Sequence, residues 1–221
     1  MYISKISLNE SSVFKEIFAS GYALHQAVWD LFADRPDRKR DFLYRLDTFG
    51  KIPQGYTVSA RKPQDADCIW HIDSKEYTPQ VKFGMRIGFT VRVNPVVKRE
   101  GKRHDVVMDA KYKMRATASG QITVKAAQEI ITEACGKWIE ERAEKNGFIV
   151  LKHDDELMFR VDGYQQVRFY KPKGEELIRY STVDITGALE VVNEQSFTDM
   201  LLGGFGPAKG FGCGLMMVRR I

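Results

Sequence analysis

This 221-residue chain holds only three cysteines, at positions 68, 135 and 213, and none stands in a C-x-x-C spacing. An odd, scattered set builds neither a disulfide framework nor a zinc site, and it suits a reducing cytosol. Histidine is almost as sparse, with four residues. No His/Asp cluster at divalent-ion spacing is evident, so neither a metal ion nor another cofactor is expected. No apolar run approaches membrane-spanning length, and strand-like residues begin at Tyr2 without the basic flank and apolar stretch of a signal peptide, which predicts a cytoplasmic protein away from membranes. A strong excess of one charge is also missing: 34 Lys and Arg against 29 Asp and Glu leave +5, which admits a polyanionic partner without demanding one.

Apolar residues, by contrast, are plentiful. At 43% hydrophobic and 29% charged the composition excludes bulk disorder, and the length suits two compact units of roughly 100 residues each. Residues 2–8 place apolar side chains at 3, 6 and 8, as in a half-buried strand. The stripe Leu24, Ala27, Val28, Leu31 and Phe32 predicts a helix ending before Pro36. Strand-like runs follow at 55–61 and 81–93, the second broken by Asn94-Pro95. Residues 98–115 carry seven basic against three acidic side chains and read as an exposed linker. Ala127, Ile130, Ile131, Ala134, Trp138 and Ile139 predict a long helix over 125–145, stopped by Gly147. Short strands are expected near 148–152, 157–161, 164–171 and 176–191, then a helix near 195–202 and a last strand at 213–219. This order fits an α+β protein of two tandem ferredoxin-like (RRM-like) βαββαβ domains. Residues 1–96 form the first, 97–120 a basic linker and 121–221 the second.

On a helical wheel Leu24, Val28 and Leu31 face one way, while Tyr22, His25 and Trp29 share another flank. A tyrosine and a histidine three residues apart can reach one substrate atom, and imidazole is suited to moving protons near neutral pH. A satisfied structural histidine would give the same pattern, because Tyr-x-x-His alone has little specificity. Residues 203–214 hold six glycines and Lys209. Such a loop lets backbone N–H groups of positions such as Gly204 and Gly206 cradle phosphates, or makes a tight helix-to-strand connection; it lacks the Walker A order. Basic side chains cluster at Arg35, Arg38, Lys39 and Arg40, within 98–115 (Lys102 and Arg103 among them), and at Arg168, Lys171, Lys173 and Arg179. The last set brackets the turn Lys171-Pro172-Lys173-Gly174 and is interleaved with Phe169 and Tyr170. One such cluster is usually a solvated face, but three favour nucleic acid over a small molecule, with the hairpin projecting into a groove of an RNA helix.

Several segments together resemble the CasE family of CRISPR repeat-processing endoribonucleases, a subunit of the type I-E Cascade complex. They are the opening Met-Tyr-Ile-Ser-Lys, Tyr22-Ala-Leu-His25-Gln, Leu31-Phe-Ala-Asp-Arg35-Pro-Asp-Arg-Lys-Arg40-Asp-Phe-Leu-Tyr, Arg92-Val-Asn-Pro95 and Gly204-Phe-Gly-Pro-Ala-Lys-Gly-Phe-Gly-Cys-Gly214. The resemblance spans nearly the whole chain. It implies two ferredoxin-like domains, binding of a repeat stem-loop along their basic face in precursor and mature crRNA, and company with other Cascade subunits. It also implies a metal-independent cut at the 3′ base of the stem, with Tyr22 and His25 at the reacting bond. Asp184-Ile-Thr-Gly187 departs from the family's aromatic-acidic-glycine run, so Arg168, Lys171, Lys173 and Arg179 are assigned to RNA by charge and position. A non-catalytic subunit that holds an RNA hairpin is the alternative reading.

Overall fold

A computed structural model describes residues 1–9, 21–33, 40–47, 54–66, 68–117, 123–170 and 177–221. The opening alternation becomes strand β1 (Tyr2–Leu8), which buries Ile6 and Leu8. Ser4, also fully buried, is satisfied by the Ser74 hydroxyl at 2.8 Å. After β1 come helix α1 (Gly21–Asp30) and strands β2 (Phe42–Asp47), β3 (Gln54–Ser59) and β4 (Trp70–Glu76). They form an antiparallel sheet in the order β2-β3-β1-β4, the strand order of a ferredoxin-like unit. Val28, Leu31 and Phe32 of the predicted stripe pack on Ile6, Leu8, Phe42, Tyr44, Leu46 and Trp70; the side chain of Leu24 lies outside the described residues. No helix is described between β3 and β4.

The second unit starts earlier than its sequence suggests. Strand β5 (Arg86–Val93) pairs with neither β1 nor β3. The chain continues as β6 (Val96–Arg99), β7 (Lys102–Asp105), helices α2 (Val106–Thr117) and α3 (Val124–Ala143), and short strands β8 (Phe148–Val150), β9 (Lys152–His153) and β10 (Glu156–Leu157). It ends with the long hairpin β11 (Phe159–Tyr170) and β12 (Leu177–Val191), helix α4 (Glu194–Gly203) and β13 (Met216–Arg220). The second sheet runs β11-β12-β5-β13, with β8 on the far end of β12. It repeats the ferredoxin-like order with β5 as its first strand, so this strand moves from the first predicted domain into the second. Residues 98–115 are likewise no bare linker. β6 and β7 pair as a hairpin, and Asp105 caps α2 by accepting from the N–H groups of Val107 and Met108 at 2.8 and 2.9 Å. Val107, fully buried, anchors the helix. Segment charge had hidden this apolar anchor, the packing of Val97 and Val106 beside it, and the cap. No described helix is long and apolar enough to cross a membrane.

The two sheets meet through β2, which is buried along almost its whole length. Its odd side Leu43 packs with Val58 and Leu215, while Arg45 joins a charged network that crosses the junction. Arg92 donates to Asp184 from Nε and Nη2 at 2.8 and 2.9 Å, to the Leu46 carbonyl at 2.8 Å and to Asp47 at 3.2 Å. Arg45 holds Asp47 at 3.0 Å. Arg92 thus ties β12 to β2, and removing it leaves Asp184 with only the more distant Arg45, at 3.8 Å, while Asp47 keeps Arg45. Arg92→Leu is expected to cost about 3 kcal/mol of unfolding free energy in urea titrations; a change below about 0.5 kcal/mol would mean that solvent screens the network.

Candidate active site

Helix α1 buries Val28 and so turns the opposite flank, Tyr22 and His25, towards the second unit. The Tyr22 and His25 rings lie 6.3 Å apart, the separation that an i, i+3 pair allows. Each meets an aromatic from the other unit: Tyr22 faces Phe169 at 6.4 Å, and His25 faces Phe211 at 5.1 Å. Trp29 closes the third side of the imidazole at 5.6 Å. Phe211 stacks in turn on Tyr180. The Tyr44 hydroxyl donates to the Gly210 carbonyl at 3.1 Å and lies 3.5 Å from His25 Nδ1. With its proton committed to Gly210, the Tyr44 oxygen is left to accept from Nδ1–H. This hydrogen-bond assignment leaves Nε2 as the unprotonated nitrogen. Burial holds the His25 pKa below 6.5, with the positive charge of Arg40 acting in the same direction and the Gly210 carbonyl opposing. The imidazole is therefore neutral near pH 7, the state a general base requires.

The glycine-rich segment delivers Gly210 and Phe211 to this place. Gly204, at φ +84°, ends α4 by giving its N–H to the Met200 carbonyl, and a Cβ there would stand 2.7 Å from Leu43. Gly206, at φ +77°, lies against Trp138, 3.0 Å from where its Cβ would be. Close packing against β2 and α3 accounts for both glycines, and the Gly204 N–H is already used. Lys209 donates to the Gly203 carbonyl at 2.6 Å. Its pKa is pushed down by burial and by Arg40. Arg40, just ahead of β2, sits beside the same loop, and its own pKa is lowered by burial.

The remaining predicted contacts divide into two groups. Arg168 and Arg179 are cross-strand partners on the exposed face of the β11–β12 hairpin. With Arg103 they line a cavity of about 610 Å³ whose inner wall includes Tyr180 and Phe211. Phe211 thus stands between the two places, in the wall of this cavity and against the His25 ring. Lys102 is exposed on β7, next to Arg103. Arg35, Arg38, Lys39, Lys171 and Lys173 lie outside the described residues. Among the described residues no three His, Cys, Asp or Glu side chains gather as a metal site; Asp65 instead accepts the Trp70 N–H.

Sequence reasoning missed Tyr44, Gly210 and Phe211 as parts of this site. Tyr44 sits 166 positions from Gly210, and no local pattern joins two such distant residues. Phe211 carried the better signal, as an aromatic inside a segment whose glycines already implied close approach.

Comparison with known proteins adds independent findings. The family described as CRISPR associated protein matches residues 1–220. The chain is 26% identical over 204 residues to the "CRISPR system Cascade subunit CasE" of Escherichia coli (strain K12), covering 88% of this chain and 89% of that one. It is 26% identical over 231 residues to the "CRISPR-associated endoribonuclease Cse3" of Thermus thermophilus, covering 99% of each. In three dimensions it resembles CRISPR endoribonuclease Cse3 bound to a 19-nucleotide RNA, with a TM-score of 0.74, 23% identity and coverage of 99% of this chain and 100% of that one. That last likeness is one of fold.

Proposed function

This chain belongs to the family of CRISPR-associated proteins, and from that premise we propose that it is a metal-independent endoribonuclease that processes precursor crRNA. It binds the stem-loop of the CRISPR repeat, cuts at the 3′ base of the stem, and retains the product as a cytoplasmic Cascade subunit alongside other Cascade proteins. The observation that carries the reading is His25: a neutral imidazole with Nδ1 near the Tyr44 hydroxyl, beside Tyr22 and against Phe211, a ring that also lines the arginine-bearing cavity.

In this reading the 2′-hydroxyl of the nucleotide upstream of the cut attacks its own neighbouring phosphorus. His25 Nε2 takes the hydroxyl proton, and Tyr22 orients that hydroxyl or shares in the proton transfer. As the new P–O2′ bond forms, the P–O5′ bond breaks, and the 5′ oxygen leaves as a hydroxyl once protonated. The products are a 2′,3′-cyclic phosphate and a 5′-OH. Incubating labelled repeat hairpin with the protein in excess chelator tests the reading. We expect a single cut at the base of the stem; activity that vanishes in chelator and returns with Mg²⁺ would replace the mechanism by a metal-activated one.

The groove adds a charge prediction, because each phosphate contact releases counterions and steepens the salt dependence of binding. Replacing Arg168 and Arg179 together by glutamine should lower the log–log salt slope of hairpin binding by about one to two units. An unchanged slope would send the RNA across another face.

A further inference from the structure

We propose that Arg40 supplies the positive charge that meets the scissile phosphate and stabilises it as it becomes five-coordinate; the inference rests on the nuclease reading above. Arg40 Nη1 and His25 Cε1 stand 3.8 and 3.9 Å from one point, the place a Cβ on Gly210 would occupy. Guanidinium and imidazole therefore flank a gap that the missing side chain leaves open. Nη1 is enclosed there and has no hydrogen-bond partner, one of three such buried side-chain atoms among the described residues.

An enclosed donor without a partner is costly in a folded protein, and its usual explanation is a ligand that completes it. Neighbouring carboxylates are committed elsewhere. Asp41, adjacent in sequence, holds Arg61 at 3.2 Å, and Asp47 and Asp184 hold Arg45 and Arg92. Among the described residues no acid forms an ion pair with Arg40 or Lys209. Lys209 already gives a short bond to the Gly203 carbonyl. Among the described residues Arg40 is thus a cation beside His25 with a donor left unpaired, and its planar fork suits two phosphate oxygens.

Position also gives Arg40 a second effect. Its charge opposes protonation of His25 in the free protein, which keeps the base empty. A phosphate lying against the guanidinium neutralises that field just when the imidazole must accept the 2′-OH proton. Charge is then met where it develops, by a group already in place.

The test compares full-length wild type, Arg40→Gln and Arg40→Lys on a repeat hairpin. Arg40→Gln should cut about 100-fold more slowly at saturating RNA. It should bind an uncleavable 2′-deoxy hairpin within about tenfold of wild type, the effect of one phosphate contact. The His25 titration followed by NMR in the free protein should move up towards 6.5, a change that a merely structural arginine would not produce. Arg40→Lys should keep the low His25 midpoint and recover part of the rate. A wild-type rate in Arg40→Gln, a loss that falls wholly on affinity, or an unmoved His25 midpoint would each overturn the proposal. If wild type itself leaves the hairpin intact, the nuclease reading falls and takes this inference with it; cutting by wild type and Arg40→Gln alike removes the inference alone.

Discussion

His25→Ala is expected to slow hairpin cleavage by about 10²- to 10⁴-fold, the contribution typical of a positioned proton-transfer group. Hairpin affinity should stay near that of wild type, because the imidazole is neutral and the groove's arginines remain. Thermal stability should fall little, since His25 is half-buried on the flank away from the Val28 side of α1. The pH dependence follows in sign. His25 must be unprotonated to act as base, and its pKa lies below 6.5. kcat/KM for wild type should therefore climb with pH on a limb centred below 6.5 and level off above it. Folding stability is linked to the same group. With a folded pKa below the unfolded one, the unfolded chain binds more protons between the two values, so stability falls as pH drops through 6.5 and flattens below the folded pKa. The alanine variant should lack both trends. Cleavage at the wild-type rate would remove His25 from the chemistry, and early melting with lost binding would make it a structural histidine.

A single 2′-deoxy substitution on the nucleotide just upstream of the cut should abolish cleavage at that bond. Only attack by the neighbouring hydroxyl needs that oxygen; a water nucleophile does not. Binding should remain tight, because one hydroxyl is a small part of an interface governed by phosphates and helix shape. The upstream product from native RNA should end in a cyclic phosphate, identifiable by mass. Cutting of the deoxy substrate at the same bond would exclude the mechanism. Tight binding of native RNA without any cutting would identify a hairpin-holding subunit, with Tyr22 and His25 serving only as packing.

Much of this was legible along the chain, and what was not has a common cause. Strand β1, helices α1, α3 and α4 and the β11–β12 hairpin each carry their own periodicity or turn chemistry. The pairing of Tyr22 with His25 follows from helical spacing alone. Strand β2 was missed because it is buried on both faces: Phe42, Tyr44 and Leu46 face α1 while Leu43 and Arg45 face the second unit, and the expected polar-apolar alternation never appears. Strand β4 was missed for the opposite reason, as an edge strand whose His71, Asp73 and Glu76 face outward. Long-range pairing decided the rest. The register of β5 is set by β12 and β13, roughly a hundred residues downstream, and the run 81–93 alone offers no hint of which sheet it joins. Asp184, at the position where the sequence leaves its family's pattern, turned out to hold Arg92 and the junction between the two sheets.

The His25 imidazole is translated early and its partners late. His25 leaves the ribosome 185 positions before the Gly210 carbonyl against which Tyr44 sets its tautomer. At about 5–20 residues per second that interval is roughly ten to forty seconds. Throughout it the first sheet can close, but β5 gains β12 only after residue 191 and still lacks β13, and Phe211 has not been made. Until Gly210 and Phe211 are made, a nascent chain holds His25 without the carbonyl and the ring that close round it from the second unit.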